Sequence, residues 1–181
     1  MGETPKALYP SILRRLAAMV YESLLVLAIL IVAGMLFGAA THHFQGNPLF
    51  GIGLMAVLGL YFVWCWHRGG HTLAMKAWRL RLSRPNGDRI SIGQGVLRFL
   101  AASLMLGTSL VGVLILSRLP QYAQNWMTWL LLAPGLLDLL WAVVDPDKQF
   151  LHDRIAHTRV FLNKAAIAID APPNTSSPAP S

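Results

Sequence analysis

The chain has 181 residues, 55% of them hydrophobic and 13% charged, with a net charge of +7 and a mean hydropathy of +0.51. That apolar excess excludes an ordinary soluble domain and suits a small polytopic membrane protein. The one cysteine, Cys65, excludes an intrachain disulfide and reads as a small residue of an apolar core.

Residues 1–10 are polar and end in Tyr9-Pro10, so Ser11 is the expected N-cap of a helix starting at Ile12. From Ser11 to Ala40 the only ionisable residue after Arg15 is Glu22. Roughly 20 apolar residues span the hydrocarbon, and the first span is predicted over about 16–40. Gly38, Ala39 and Ala40 resemble a signal cleavage site, but the apolar run is too long for a signal peptide, and an uncleaved first helix is expected. Arg14 and Arg15 stand in the first turns, where the helix dipole disfavours cations; their placement reflects the membrane surface.

The link from Thr41 to Pro48 carries no Lys or Arg, and a second span is predicted over 49–66, with Trp64 and Trp66 as a boundary belt. His67 to Arg98 then holds seven of the fifteen basic residues. Trp78, Leu80 and Leu82 alternate with Arg79 and Arg81, and Ile90 and Ile92 alternate after Pro85-Asn86-Gly87-Asp88. This pattern predicts an amphipathic β-hairpin near the membrane surface. Further spans follow over 99–116 and 125–144, and the Pro- and Ser-rich stretch 165–181 reads as a disordered tail beyond a single domain over 1–164.

The N-terminal segment has three cations, the central loop seven and the C-terminal segment four, while the remaining links have none and one. By the positive-inside rule both termini and the central loop are expected to be cytoplasmic, in the plasma membrane. The basic charge is thereby explained by the bilayer, and nucleic acid loses its support as a partner. Anionic lipid head groups fit the arginine-rich loop, as does simple topology setting. The expected fold is all-α: four antiparallel transmembrane helices with a small cytoplasmic β-hairpin between the second and third.

Acids inside such spans cost a few kcal/mol, so each is expected to face protein or water. Arg15 lies seven residues before Glu22 on one helix face, with Ala18 between, and Glu22 leans toward it. Asp138 follows Pro134 by four residues, which predicts a kink beside it. Both acids lie six residues from the inner end of their spans, about 9 Å deep. Either they form a protonatable or cation-binding site, or each makes a structural bond with Arg15, Tyr21 or backbone. After the last span, Asp153 is within reach of Arg15, Arg98 or a hairpin arginine, with Arg14, Arg154 and His152 as further pairing candidates in what reads as a surface salt-bridge network.

Three groups of residues resemble a known family, the bacterial RDD membrane proteins. They are Arg15-x-x-Ala18 with an acid at 22; Gly69-Gly70-His71-Thr72-Leu73-Ala74-Met75-Lys76 with Leu80-Arg81-Leu82; and Leu151-His152-Asp153-Arg154 with Ala156-His157-Thr158. The resemblance covers about residues 8–162. It implies that Arg15 is the arginine of the family's name, position 22 its first aspartate and Asp153 its second. Glu22 departs from the pattern by one methylene, and His71 and Ala74 stand where Gln and Gly are usual. The implied role is transport.

Metal and cofactor sites are not expected. Side chains of His42 and His43 diverge, and Gly69-Gly70 would break the helix that makes the His67–His71 spacing useful. Gly34 and Gly38, and Ser103 and Gly107, are small pairs suited to close helix packing within the chain, in a homo-oligomer or against a larger membrane partner. With no nucleophile elbow or phosphate loop, enzyme chemistry has no carrier. The leading expectation is ion- or small-ligand transport centred on Arg15, Glu22, Asp138 and Asp153; the alternative is a non-catalytic membrane scaffold for other envelope proteins.

Overall fold

The computed structural model describes residues 9–41 and 48–163. His42, His43, Lys6, Lys164 and the predicted tail lie outside the described residues. Helix α1 runs over Ile12–Thr41 and α2 over Pro48–Gly69. A one-turn helix, α3 (Leu73–Ala77), leads into strand β1 (Leu80–Ser83). The third long helix is α4 (Ile92–Ala102), a π-turn over Ser103–Gly107, and α5 (Thr108–Arg118). A short 3-10 turn, Pro120–Gln124, precedes α6 (Trp126–Leu130) and α7 (Ala133–Val144). The described chain ends in α8 (Leu151–Ile155) and β2 (Arg159–Leu162).

Among the described residues, four helical stretches are long and apolar enough to cross a membrane: Ile12–Ala39, Leu49–Gly69, Ile92–Arg118 and Trp126–Val144. Their outward faces leave Leu36, Leu60, Leu110 and Val144 exposed. Apolar surface on that scale suits lipid, not water.

The third helix starts seven residues before the predicted 99–116 span. Ser91 Oγ accepts from the Gln94 N–H at 3.2 Å, and Gln94 Oε1 accepts from the Ser91 N–H at 3.1 Å. This capping box starts the helix at Ile92 and carries Arg98 into the helix proper. It also overturns the hairpin. The chain does turn at Arg84–Asp88, with the Arg84 N–H donating to Asp88 O at 2.9 Å, but the cap prevents a second strand from extending past Ile90. β1 pairs instead with β2, antiparallel, Leu80 opposite Leu162 and Ser83 opposite Arg159. The β element is thus a two-stranded sheet joining the central loop to the C-terminal segment.

Gly70 ends this loop's approach to α2. Its φ of +69° is left-handed, and a Cβ there would lie 2.9 Å from Leu82 O. The Leu82 N–H donates to Gly70 O at 2.6 Å, so the glycine lets β1 close against the end of α2. Alternation then directs Leu80 and Leu82 inward with Ala18, Trp66, Met75, Ile90 and Val160, and this cluster is the core.

Farther along, the third and fourth helices meet closely at Gly112 and Gly135. Ser109 Oγ accepts from the Gly135 N–H at 2.8 Å and lies within hydrogen-bond distance of Leu131 O and Leu132 O. The Gly135 N–H and Leu131 O are free because the fourth helix breaks at Leu131–Leu132, just before Pro134, whereas Leu132 O also accepts from the Leu136 N–H at 3.1 Å. Within the chain, the expected close packing is not made at Gly107. A Cβ at Gly107 would meet nothing within 4 Å, and one at Gly112 would meet Leu131 Cβ at 2.9 Å.

Candidate functional site: a buried charge centre beneath a cavity

Arg15, Arg98 and Asp153 come from three distant parts of the chain and meet at one end of the bundle. Asp153 has no exposed surface; it pairs with Arg15 through one carboxylate oxygen and with Arg98 through the other. Arg15 donates also to Lys148 O and stacks over the Phe150 ring at 4.4 Å. Arg98 donates to Thr158 Oγ1 at 3.3 Å and stacks over Trp66 at 4.8 Å. Two guanidiniums on one carboxylate, each flanked by an aromatic face, hold the charges away from hydrocarbon.

The segment after α7 is shaped to deliver Asp153. Asp145 Oδ2 accepts from the Asp147 N–H at 3.1 Å and the Gln149 N–H at 3.0 Å, while Oδ1 accepts from Arg154 Nε at 2.9 Å and Nη2 at 2.7 Å. Burial pushes this carboxyl up, but the Gln149 N–H and Arg154 outweigh it and hold it below the usual carboxylate range. The turn leaves Lys148 left-handed, with φ +54°, and its carbonyl faces Arg15. Gln149, fully buried, accepts from the Val160 N–H at 3.0 Å and ties the turn to β2.

Asp138 belongs to the same centre through His152. Its carboxylate accepts from the His152 backbone N–H at 3.0 Å and lies 2.9 Å from His152 Nδ1. Burial, with Arg98 and Arg15 nearby, pushes the His152 ring down to about 4 against the pull of Asp138. The ring is therefore neutral near pH 7, and Asp138 keeps its proton on Nδ1.

Glu22 stands apart from these ion pairs. Tyr61 donates to its Oε1 at 3.0 Å and Thr72 donates to its Oε2. Thr72 is the N-cap of α3 and already accepts from the Met75 N–H at 3.2 Å, so its own proton is free for Glu22. Among the described residues no arginine, lysine or histidine pairs with Glu22. The expected lean toward Arg15 gives way because Arg15 is taken by Asp153. Nor do Glu22 and Asp138 share a site: α2 and α3 supply the partners of one, α8 those of the other.

Glu22 and the charge centre line one cavity of about 330 Å³ between α1, α2 and the third helix. Its walls are mainly apolar, from Met19, Val26, Leu58, Phe62, Phe99 and Leu106, with Glu22 and Thr72 at one level and Arg15, Arg98, Trp66 and His152 at another. The Ser103–Gly107 π-turn forms part of the wall. Among the described residues no group of three His, Cys, Asp or Glu side chains is placed to hold a metal.

Of the candidates named from the sequence, the structure unites Arg15, Arg98, Asp138, His152 and Asp153. The surface-network reading of Asp153 is corrected, since the residue is sealed under α1, α4 and α8. Arg154 serves the surface side, on Asp145 and Asp147. Arg14 is exposed, and its backbone N–H donates to Ser11 Oγ at 3.3 Å. Tyr61, Thr72, Trp66 and the Lys148 carbonyl were missed. Thr72 before Leu73-Ala74-Met75 is a readable N-cap, but its bond to Glu22 spans 50 residues and leaves no local trace.

No curated protein and no solved structure matches the chain. The RDD family model matches residues 9–157, most of its length. That range includes all four apolar helices and the arginine, acid and aspartate at 15, 22 and 153, and this multi-pass membrane protein belongs to the RDD family.

Proposed function

We propose that the protein moves small cations, protons included, across the plasma membrane by way of Glu22, with both termini on the cytoplasmic side. One observation carries this reading: Glu22 is the acid that lines the cavity with hydroxyl partners and no cation. Asp153 already faces two arginines and Asp138 is held by the backbone N–H and ring of His152, and neither lines the cavity. A carboxylate held by two hydroxyl donors can exchange a proton for a cation without breaking the ion pairs that join the helices. The distribution of cations along the chain supports the orientation. The absence of a nucleophile elbow or phosphate loop in the sequence supports a non-enzymatic role.

The test is ion flux in vesicles reconstituted with the parent, Glu22→Gln and Asp138→Asn. Glu22→Gln is expected to lower cation-driven proton flux by about tenfold or more while leaving the thermal midpoint near that of the parent. Asp138→Asn is expected to act first on stability, because His152 loses its carboxylate. A parent without flux, or flux indifferent to Glu22, defeats the reading and leaves the membrane-scaffold alternative.

A further inference from the structure

The cavity has a second polar end that the cation reading does not use. Trp66 Nε1 and Arg98 Nε are buried donors with no hydrogen-bond partner, and both residues line the cavity. Trp66 is 6% and Arg98 7% exposed. Buried donors of this kind are ordinarily paired, and these two belong to one part of the lining, with the Arg98 guanidinium over the Trp66 ring at 4.8 Å.

The two ends are separated by a readable length. On α2 five residues part Tyr61, which holds Glu22, from Trp66; on α1 seven part Arg15 from Glu22. At about 1.5 Å per residue the ends lie roughly 8–10 Å apart. Leu58, Phe62 and Phe99 line the cavity as its apolar surface. A volume of about 330 Å³ is at the small end of ligand sites, roughly 300–1,000 Å³, and suits a slim molecule.

We propose that the cavity is a two-ended site for a slim zwitterion: an amino group on Glu22, a carboxylate on Trp66 Nε1 and Arg98 Nε, and a short apolar chain between. This rests on the reading of Glu22 as a cation site and names the substrate class it serves. The carboxylate meets the two orphan donors and the ammonium meets Glu22, so the desolvation of each charged end is offset by a partner in the site.

Calorimetric titration of the full chain in nanodiscs with ω-aminooctanoate, octylamine and octanoate tests this. The zwitterion is expected to bind about tenfold tighter than either one-ended probe, as one charge-assisted hydrogen bond supplies. Trp66→Phe keeps a ring over Arg98 but removes the donor, and should bring the zwitterion down toward octylamine while octylamine itself is unchanged. Glu22→Gln should bring it down toward octanoate. If octylamine binds through Glu22 but the added carboxylate gains nothing in the parent, the two-ended site is overturned and the cation reading stands. If octylamine binding ignores Glu22→Gln, the cation reading itself fails. The comparison of the three probes on the parent needs no variant, so a misfolded Trp66→Phe leaves the proposal fully exposed to refutation.

Discussion

Asp153 holds two guanidiniums with no water to share the load, whereas Asp147, only a few residues away, pairs with Arg154 and Arg159 while remaining 20% exposed. Asp153→Asn should therefore cost about 3–5 kcal/mol, because it leaves two buried cations against a neutral amide. Asp147→Asn should cost about 1 kcal/mol or less. Chemical denaturation in detergent, followed by circular dichroism, compares the two; equal losses would contradict the geometry. His152 adds a pH dependence whose sign follows from its burial. Its ring is held down at about 4, from an ordinary 6.5. Between those values the unfolded chain binds a proton that the folded chain refuses. The stability it supports is full above about pH 6.5 and falls as pH drops toward 4, by at most about 3 kcal/mol. Thermal melts across this window should show the fall in the parent and a flatter profile in His152→Gln.

Among the elements, glycine sites separate contacts that matter from those that do not. Gly70 is left-handed and a Cβ there would press on Leu82 O at 2.9 Å. Gly70→Ala should lower stability by about 1–3 kcal/mol and loosen the β1 connection to α2. Gly112→Ala should also destabilise, since its Cβ would lie 2.9 Å from Leu131 Cβ where the third and fourth helices cross. Gly107→Ala meets open space within 4 Å and should be neutral or stabilising by up to about 1 kcal/mol. Thermal midpoints of the three variants check this order. The break between α6 and α7 belongs to the same contact. The Leu131 carbonyl and the Gly135 N–H face Ser109, so a hydroxyl from the third helix serves backbone that the fourth leaves without helical partners.

At the scale of the molecule, the charge centre joins the first helix, the third helix and the segment that follows the fourth. Residues 15, 98 and 153 are far apart in sequence, so the site forms only once the chain after α7 has folded back. The two-stranded sheet makes the same closure in backbone, since β1 lies between the second and third long helices and β2 follows the last. Fixed ion pairs at one end leave the cavity above them lined by α1, α2 and the third helix, with Glu22 as its uncompensated charge. That division between a neutralised pivot and a single available acid is what the cation and zwitterion readings both draw on.

Hydropathy alone determined that there are four long apolar helices, because a bilayer demands that each be continuous and nonpolar in sequence. The unusual positions of Arg15, Glu22, Asp138 and Asp153 were likewise plain, since charge stands out against such a background. Which charge meets which was decided by tertiary structure. Arg15 lies two helical turns from Glu22, yet Asp153, supplied by a distant segment, takes it through direct buried contact. The alternation around Leu80 marked a strand but not its partner, because period-two patterning records a strand's faces and never what pairs with its edge. The cavity left no local trace for the same reason: it is the space that packed helices fail to fill.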